Sequence, residues 1–258
     1  MEELTKQNLT RTHVIHDKDT WIIEKVLESL IKQSKLWKDD DLLDAMIMSF
    51  MANNNYEFET LFKKVDQRQD KERYWILLAY LYERGLGIQS EKTKAFRWYH
   101  KAAKINDPIA MQKIGICYDE SIGIKYDAIK ARFWYKKAAE AGMLRSQFEL
   151  AKHYIYRMND SNKSHQIEGL YWLEKVANAG VACGMNLLAN TYYIMKDYQK
   201  AFYWYKKSYY EHGSIREDLA ICYRKGFGTL KDTHKAINCF LQPIPVNPQY
   251  LLDIFNNK

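Results

Sequence analysis

Apolar residues recur along this chain at helical spacing. Trp75, Leu78, Ala79 and Tyr82 share one face of a helix, and Ala95, Trp98, Tyr99 and Ala102 share one face of the next. The pattern then begins again. A small residue followed three positions later by tyrosine occurs at Ala79/Tyr82, Gly115/Tyr118, Ala151/Tyr154, Ala189/Tyr192 and Ala220/Tyr223, at intervals of 36, 36, 38 and 31 residues. Behind each lies a second cluster: Lys94-Ala95 with Trp98-Tyr99, Lys130-Ala131 with Trp134-Tyr135, Gly169 with Trp172-Leu173, Lys200-Ala201 with Trp204-Tyr205, and Lys235-Ala236 with Cys239-Phe240. Two linked signals recurring at a period of roughly 20 to 50 residues mark a repeat array.

Each repeat reads as a helical hairpin. Small residues let the helices approach closely, and the rings need a neighbouring hairpin to cover them, so stacking is obligatory. The predicted fold is therefore all-α: a right-handed α-solenoid of stacked antiparallel helix pairs. The turns agree. Gly85-Leu86-Gly87-Ile88 and Gly226-Phe227-Gly228-Thr229 follow first helices, where a left-handed glycine closes the end, and Asp107-Pro108 supplies an N-cap and an N1 proline. Because these glycines follow a helix and lack a third glycine, they do not form a dinucleotide-binding loop.

Ala/Gly-x-x-Tyr, then Gly-x-Gly, then Lys-Ala-x-x-Trp-Tyr-x-Lys-Ala-Ala resembles the Sel-one-like repeat (SLR), a relative of the tetratricopeptide repeat. Leu78 to Ala103 and Gly115 to Gly142 are the clearest copies. Five repeats are expected at about 72–107, 108–142, 143–180, 181–213 and 214–242. Three depart from the pattern. The third has a polar loop, Arg157 to Gln166, in place of Gly-x-Gly; the fourth has only Met195-Lys196-Asp197 between its helices; the fifth has Cys239 in place of Trp. The resemblance implies non-enzymatic adaptor or scaffold roles, among them signalling scaffolds and protein-degradation adaptors. Some bacterial members carry cysteine pairs joining the helices of every repeat. That regular pairing is missing from the four cysteines here, which are expected to be free thiols.

Residues 1–70 carry 10 basic and 14 acidic side chains, against 29 and 18 in the remainder. The acidic segment reads as an N-terminal cap: an amphipathic helix over Trp21 to Lys32, then a degenerate hairpin over Asp41 to Ala52 and Tyr56 to Val65. Residues 243–258 read as a Pro-rich exit, Pro243 to Pro248, and a short capping helix over Gln249 to Phe255. The alternative is that either apolar terminal helix docks a partner. No apolar run reaches the roughly 18 residues of a membrane span, and no basic-then-apolar leader is present, so a cytoplasmic monomer is expected.

Candidate chemistry is sparse. His13-x-x-His16-Asp17 could offer three metal ligands, but it stands alone and reads as a solvated tail. No Gly-x-Ser-x-Gly elbow, His-Glu-x-x-His helix or P-loop is present; no enzyme, metal or cofactor is expected. The basic repeat body raises nucleic acid or an anionic surface as an alternative partner. The lysines concerned, Lys101, Lys136, Lys137, Lys175, Lys206 and Lys207, recur at fixed helix positions and read as a solvated outer face.

A protein or peptide partner fits better. First helices line the concave side of a solenoid, and the face opposite the small-x-x-Tyr seam selects Ile76, Tyr80 and Glu83; Gln112, Ile116 and Asp119; Phe148, Lys152 and Ile155; Asn186, Asn190 and Tyr193; Glu217, Ile221 and Arg224. The site expected from these comprises Tyr80, Gln112, Phe148, Lys152, Asn186, Asn190, Tyr193, Glu217 and Arg224, with aromatic anchors for affinity and amides for a ligand backbone. Asn186 and Asn190, one turn apart, either grip a peptide main chain or simply face solvent.

Overall fold

The computed structural model describes residues 18–35, 40–54, 56–68, 72–156 and 163–241. The His13–Asp17 cluster and the 243–258 exit and cap lie outside them. All regular structure among the described residues is helical: α1 Lys18–Lys35, α2 Asp40–Asn53, α3 Phe58–Asp66, α4 Trp75–Arg84, α5 Lys92–Lys104, α6 Pro108–Asp119, α7 Ala128–Glu140, α8 Leu144–Ile155, α9 Lys163–Asn178, α10 Ala182–Ile194, α11 Tyr198–His212, α12 Arg216–Lys225 and α13 Thr233–Leu241. A 3-10 turn over Glu72–Tyr74 leads into α4. No described helix is long and apolar enough to cross a membrane. The expected polar loop after α8 is shorter than its sequence suggests, because α9 already begins at Lys163.

The helices pair as α4/α5, α8/α9, α10/α11 and α12/α13, and each second helix packs on the next first helix, as α3 on α4, α5 on α6, α9 on α10 and α11 on α12. This is an all-α helical-repeat solenoid architecture. The chain falls into two compact units that divide within α7, between Trp134 and Tyr135.

The tyrosine of the small-x-x-Tyr signal explains the period. Its ring lies edge-on against a phenylalanine of the preceding second helix: Phe62 against Tyr82 at 5.3 Å, Phe96 against Tyr118 at 5.5 Å, Phe202 against Tyr223 at 5.3 Å. Its other side meets the lysine of its own repeat, Lys94, Lys130 or Lys235, with the ammonium 5.4 to 5.9 Å from the ring centre. Tyr192 has Lys200 in the same place at 5.0 Å. The phenylalanine is not available within a lone hairpin, so each of these tyrosines ties three elements together. The tryptophans also sit in register. Trp98, Trp172 and Trp204 each lie beneath the lysine three residues on, 4.9 to 5.0 Å away, and Tyr99, Tyr135 and Tyr205 behind them are fully buried.

Gly85 and Gly226 close their helices in the left-handed conformation, as the turns require. The second glycine of each turn has another task. A Cβ at Gly87, Gly123 or Gly228 would run into the carbonyl of Phe58, Lys92 or Tyr198, at the start of the preceding second helix. Gly87 thus seats on α3 as Gly123 seats on α5. Ahead of it, α1 packs against α2 and α3 and also against α6.

A carboxylate starts several second helices. Asp127 accepts from the backbone N–H groups of Ile129 and Lys130, and Asp232 from that of Lys235. These bonds, then the adjacent lysine ammonium groups, hold both carboxyls below the usual carboxylate range. Asp19 is held low by the Tyr56 hydroxyl and Lys64. A carboxyl depressed in the folded state contributes stability that is complete above its unfolded value and lost as pH falls through the folded one. The unfolding midpoint is therefore expected to fall below about pH 4. Asp127→Asn/Asp232→Asn, which keeps a cap acceptor but no titration, should flatten that acid limb in thermal melts between neutral pH and about pH 2.5. An unchanged limb would show that these carboxylates play no part.

A candidate partner-binding face

The first helices of the two units present different faces. In α4 every residue from Trp75 to Tyr82 is buried, and in α6 every residue from Ile109 to Cys117. In α8, α10 and α12 the equivalent positions open to solvent. This corrects the expected site at two positions: Tyr80 and Gln112 are 1% and 3% exposed, so neither is presented to a ligand, and Ile76 and Ile116 are buried with them. Ile155 in α8 is also buried, against the Cβ position of Gly169 on α9.

The remaining candidates lie in the second unit. Phe148 is half-buried with the Lys152 ammonium 5.6 Å from its ring, and that ammonium pairs with Glu149 at 2.6 Å. Asn186 is half-buried and Asn190 exposed, but neither amide oxygen is free. Asn186 accepts from the Ser208 hydroxyl, which bonds Ser214 at 2.8 Å, and Asn190 accepts from the Tyr205 hydroxyl at 2.6 Å. Both asparagines thus brace α10 against α11. The expected grip on a peptide main chain narrows to their amide N–H groups. Tyr193 packs edge-on against Tyr198 and Phe227, whose own rings stack at 4.6 Å.

Glu217 and Arg224 stand exposed at the rim of a groove of about 330 Å³ between α12 and α13, lined also by Ala220, Ile221, Ala236 and Phe240. Phe240 and Ile237 on α13 are 53% and 50% exposed. Reading only first helices missed them.

The lysines expected on an outer basic face are largely engaged inside their own units. Lys101 lies 4.2 Å from the Trp75 ring, Lys136 pairs with Glu168 at 2.9 Å, and Lys175 and Lys207 cover tryptophans. Burial pushes the Cys117 thiol up to about 12 and Cys222 to about 11, the reverse of an activated nucleophile. The four cysteines are free, and among the described residues no three His, Cys, Asp or Glu side chains group to hold a metal ion.

Two solved structures are similar in fold. A Sel1 repeat protein from Oxalobacter formigenes aligns at 24% identity and TM-score 0.62 over 74% of this chain and 77% of that one. A protective antigen of uropathogenic Escherichia coli strains with an SLR fold aligns at 22% and 0.58 over 70% of this chain, which spans 39% of the antigen's length. Comparison with curated proteins gives no match. The model of the Sel1 repeat matches five times, at residues 76–107, 108–143, 144–181, 185–212 and 217–242. With well over half its length matched, the chain belongs to the Sel1 repeat family, whose repeats typically mediate protein–protein interaction.

Proposed function

We propose that this protein is a non-enzymatic adaptor that binds a protein or peptide partner on the open first-helix face of its second unit. The observation that carries this reading is the uncovered mixed surface of α8, α10 and α12. Half-buried Phe148 and Tyr193 offer rings, Asn190 offers an amide, Lys152 adds a charge on α8, and Glu217 and Arg224 set charge around the apolar groove between α12 and α13. Rigid aromatic anchors among satisfied polar groups suit a polypeptide ligand. The engaged lysines give no comparable support to nucleic acid, so RNA is expected not to bind at physiological salt.

The test is capture with wild type and a Lys152→Glu/Arg224→Glu variant from the native lysate. Both side chains reach solvent, so the variant should melt within about 2 °C of wild type. Loss of a captured protein by the variant, with its recovery by Lys152→Arg/Arg224→Lys, is expected. An identical set of captured proteins would sink the assignment to this face.

A further inference from the structure

We propose that the groove between α12 and α13 is the seat of the chain's own residues 248–255, which dock there as a short helix and add one member to the row of first helices α8, α10 and α12. The inference goes beyond the adaptor reading and does not depend on it.

The state of α13 is the first argument. Along the array a second helix carries the next first helix, as α5 carries α6, α9 carries α10 and α11 carries α12. Two positions of α13 that are covered in the other repeats are bare. Phe240 stands four residues after Ala236, as Tyr99, Tyr135, Leu173 and Tyr205 stand four after Ala95, Ala131, Gly169 and Ala201; those four are 0% to 2% exposed, and Phe240 is 53%. Ile237 stands where Phe96 and Phe202 meet Tyr118 and Tyr223 of the following first helix, and it is 50% exposed. The groove of about 330 Å³, lined by Ala220, Ile221, Ala236, Ile237 and Phe240, is therefore the place of a following first helix.

The sequence after α13 supplies the occupant. Pro243 and Pro245 cannot continue α13, and Asn247-Pro248 repeats the cap-then-proline start that Asp107-Pro108 gives α6. Counted from the proline, Leu251 and Ile254 match Met111 and Ile114, which are 5% and 0% exposed in α6. Leu251, Ile254 and Phe255 share one face at helical spacing. Tyr250 and Phe255 replace Ala110 and Gly115, the small residues of a helix closed in by its own hairpin, so the segment fits as a single helix rather than the start of a sixth repeat. Length agrees. Eight helical residues span about 12 Å, close to the roughly 14 Å of the nine-residue α13. Residues 242–247 reach up to about 20 Å, ample against the roughly 8 to 10 Å between packed helices. So short a tether closes at small entropic cost and holds the segment at the groove at a high effective concentration. Glu217 and Arg224 stand at the groove's rim, so a seated helix lengthens the partner-binding face and does not close it.

Hydrogen exchange on the purified full chain, with no partner present, is the test. The amides of residues 250–255 are expected to exchange at least about tenfold more slowly than in a synthetic peptide of residues 247–258. Exchange at the peptide's rate would overturn the proposal. Phe240→Asp is expected to bring these amides to the peptide's rate, whereas Ile167→Asp, at a comparably exposed position on α9, should leave them protected. Protection that survives Phe240→Asp would put the segment elsewhere and overturn the seat. Leu251→Asp/Ile254→Asp alters the segment alone and should speed exchange of the α13 amides by at least about threefold, so it decides the matter if Phe240→Asp does not fold; an unchanged α13 would overturn the seat. Protection that rises with protein concentration, with a dimer mass in light scattering, would give the groove to a second copy and overturn docking in cis. Because these measurements involve no partner, loss of this inference leaves the adaptor reading standing, and a failed capture experiment leaves this one standing.

Discussion

Gly123→Ala is expected to destabilise the protein by about 3 kcal/mol, against about 1 kcal/mol for Gly142→Ala. Both glycines have positive φ, 69° and 89°, so the cost of placing a side chain in the left-handed region is common to the two. Surroundings separate them. Gly142 has nothing within 4 Å of where a Cβ would stand, whereas at Gly123 that atom would run into the Lys92 carbonyl, helix backbone that cannot swing aside. Thermal melts should show the midpoint reduced by roughly 6–12 °C for Gly123→Ala and by roughly 2–4 °C for Gly142→Ala. Gly228→Ala, facing the Tyr198 carbonyl, should behave like Gly123→Ala. Equal midpoints for Gly123→Ala and Gly142→Ala would mean that the turn yields and that the close approach is incidental.

The second large effect lies at the joint between the first hairpin and α6. Glu83 accepts from the Tyr99 hydroxyl at 2.6 Å and faces the Lys113 ammonium at 3.6 Å, where the two charged side chains are only 13% and 9% exposed. Glu83→Ala removes the carboxylate that faces this nearly buried ammonium and accepts from the phenol, at an expected cost of about 3 kcal/mol. Glu83→Gln/Lys113→Met retains an acceptor for Tyr99 and removes both charges, so it should recover most of that loss. Chemical denaturation of wild type, the single variant and the double variant measures both quantities. If the double variant is as unstable as Glu83→Ala, packing rather than charge pairing governs this joint.

The repeat was legible in the sequence because the same contact is made again and again. Tyr82, Tyr118 and Tyr223 meet the same kinds of partner at the same offsets, so periodicity alone exposed the hairpins and their stacking. Asp107 could be recognised as a cap because its partners, the N–H groups of Ile109 and Ala110, are two and three residues away. The candidate face was less legible because its state depends on residues far along the chain. Tyr80 and Gln112 occupy positions that are open on an isolated hairpin, yet both are buried. Asn186 and Asn190 look unoccupied along α10, but Ser208 and Tyr205 reach them from 22 and 15 residues away. Helical periodicity finds the side of a helix; it does not reveal what has come to rest there.

The second glycine of the Gly-x-Gly turn lies against the hairpin before it, and Gly87 and Gly123 stand 36 residues apart. Each hairpin with this turn therefore brings its own socket for the one it sits upon. A gene duplication that copies one whole 36-residue segment adds a hairpin already fitted to its predecessor, whereas one that starts mid-turn separates the glycine from its helix and strands it. Such arrays can lengthen or shorten by whole modules during evolution without any compensating change in the sequence on either side.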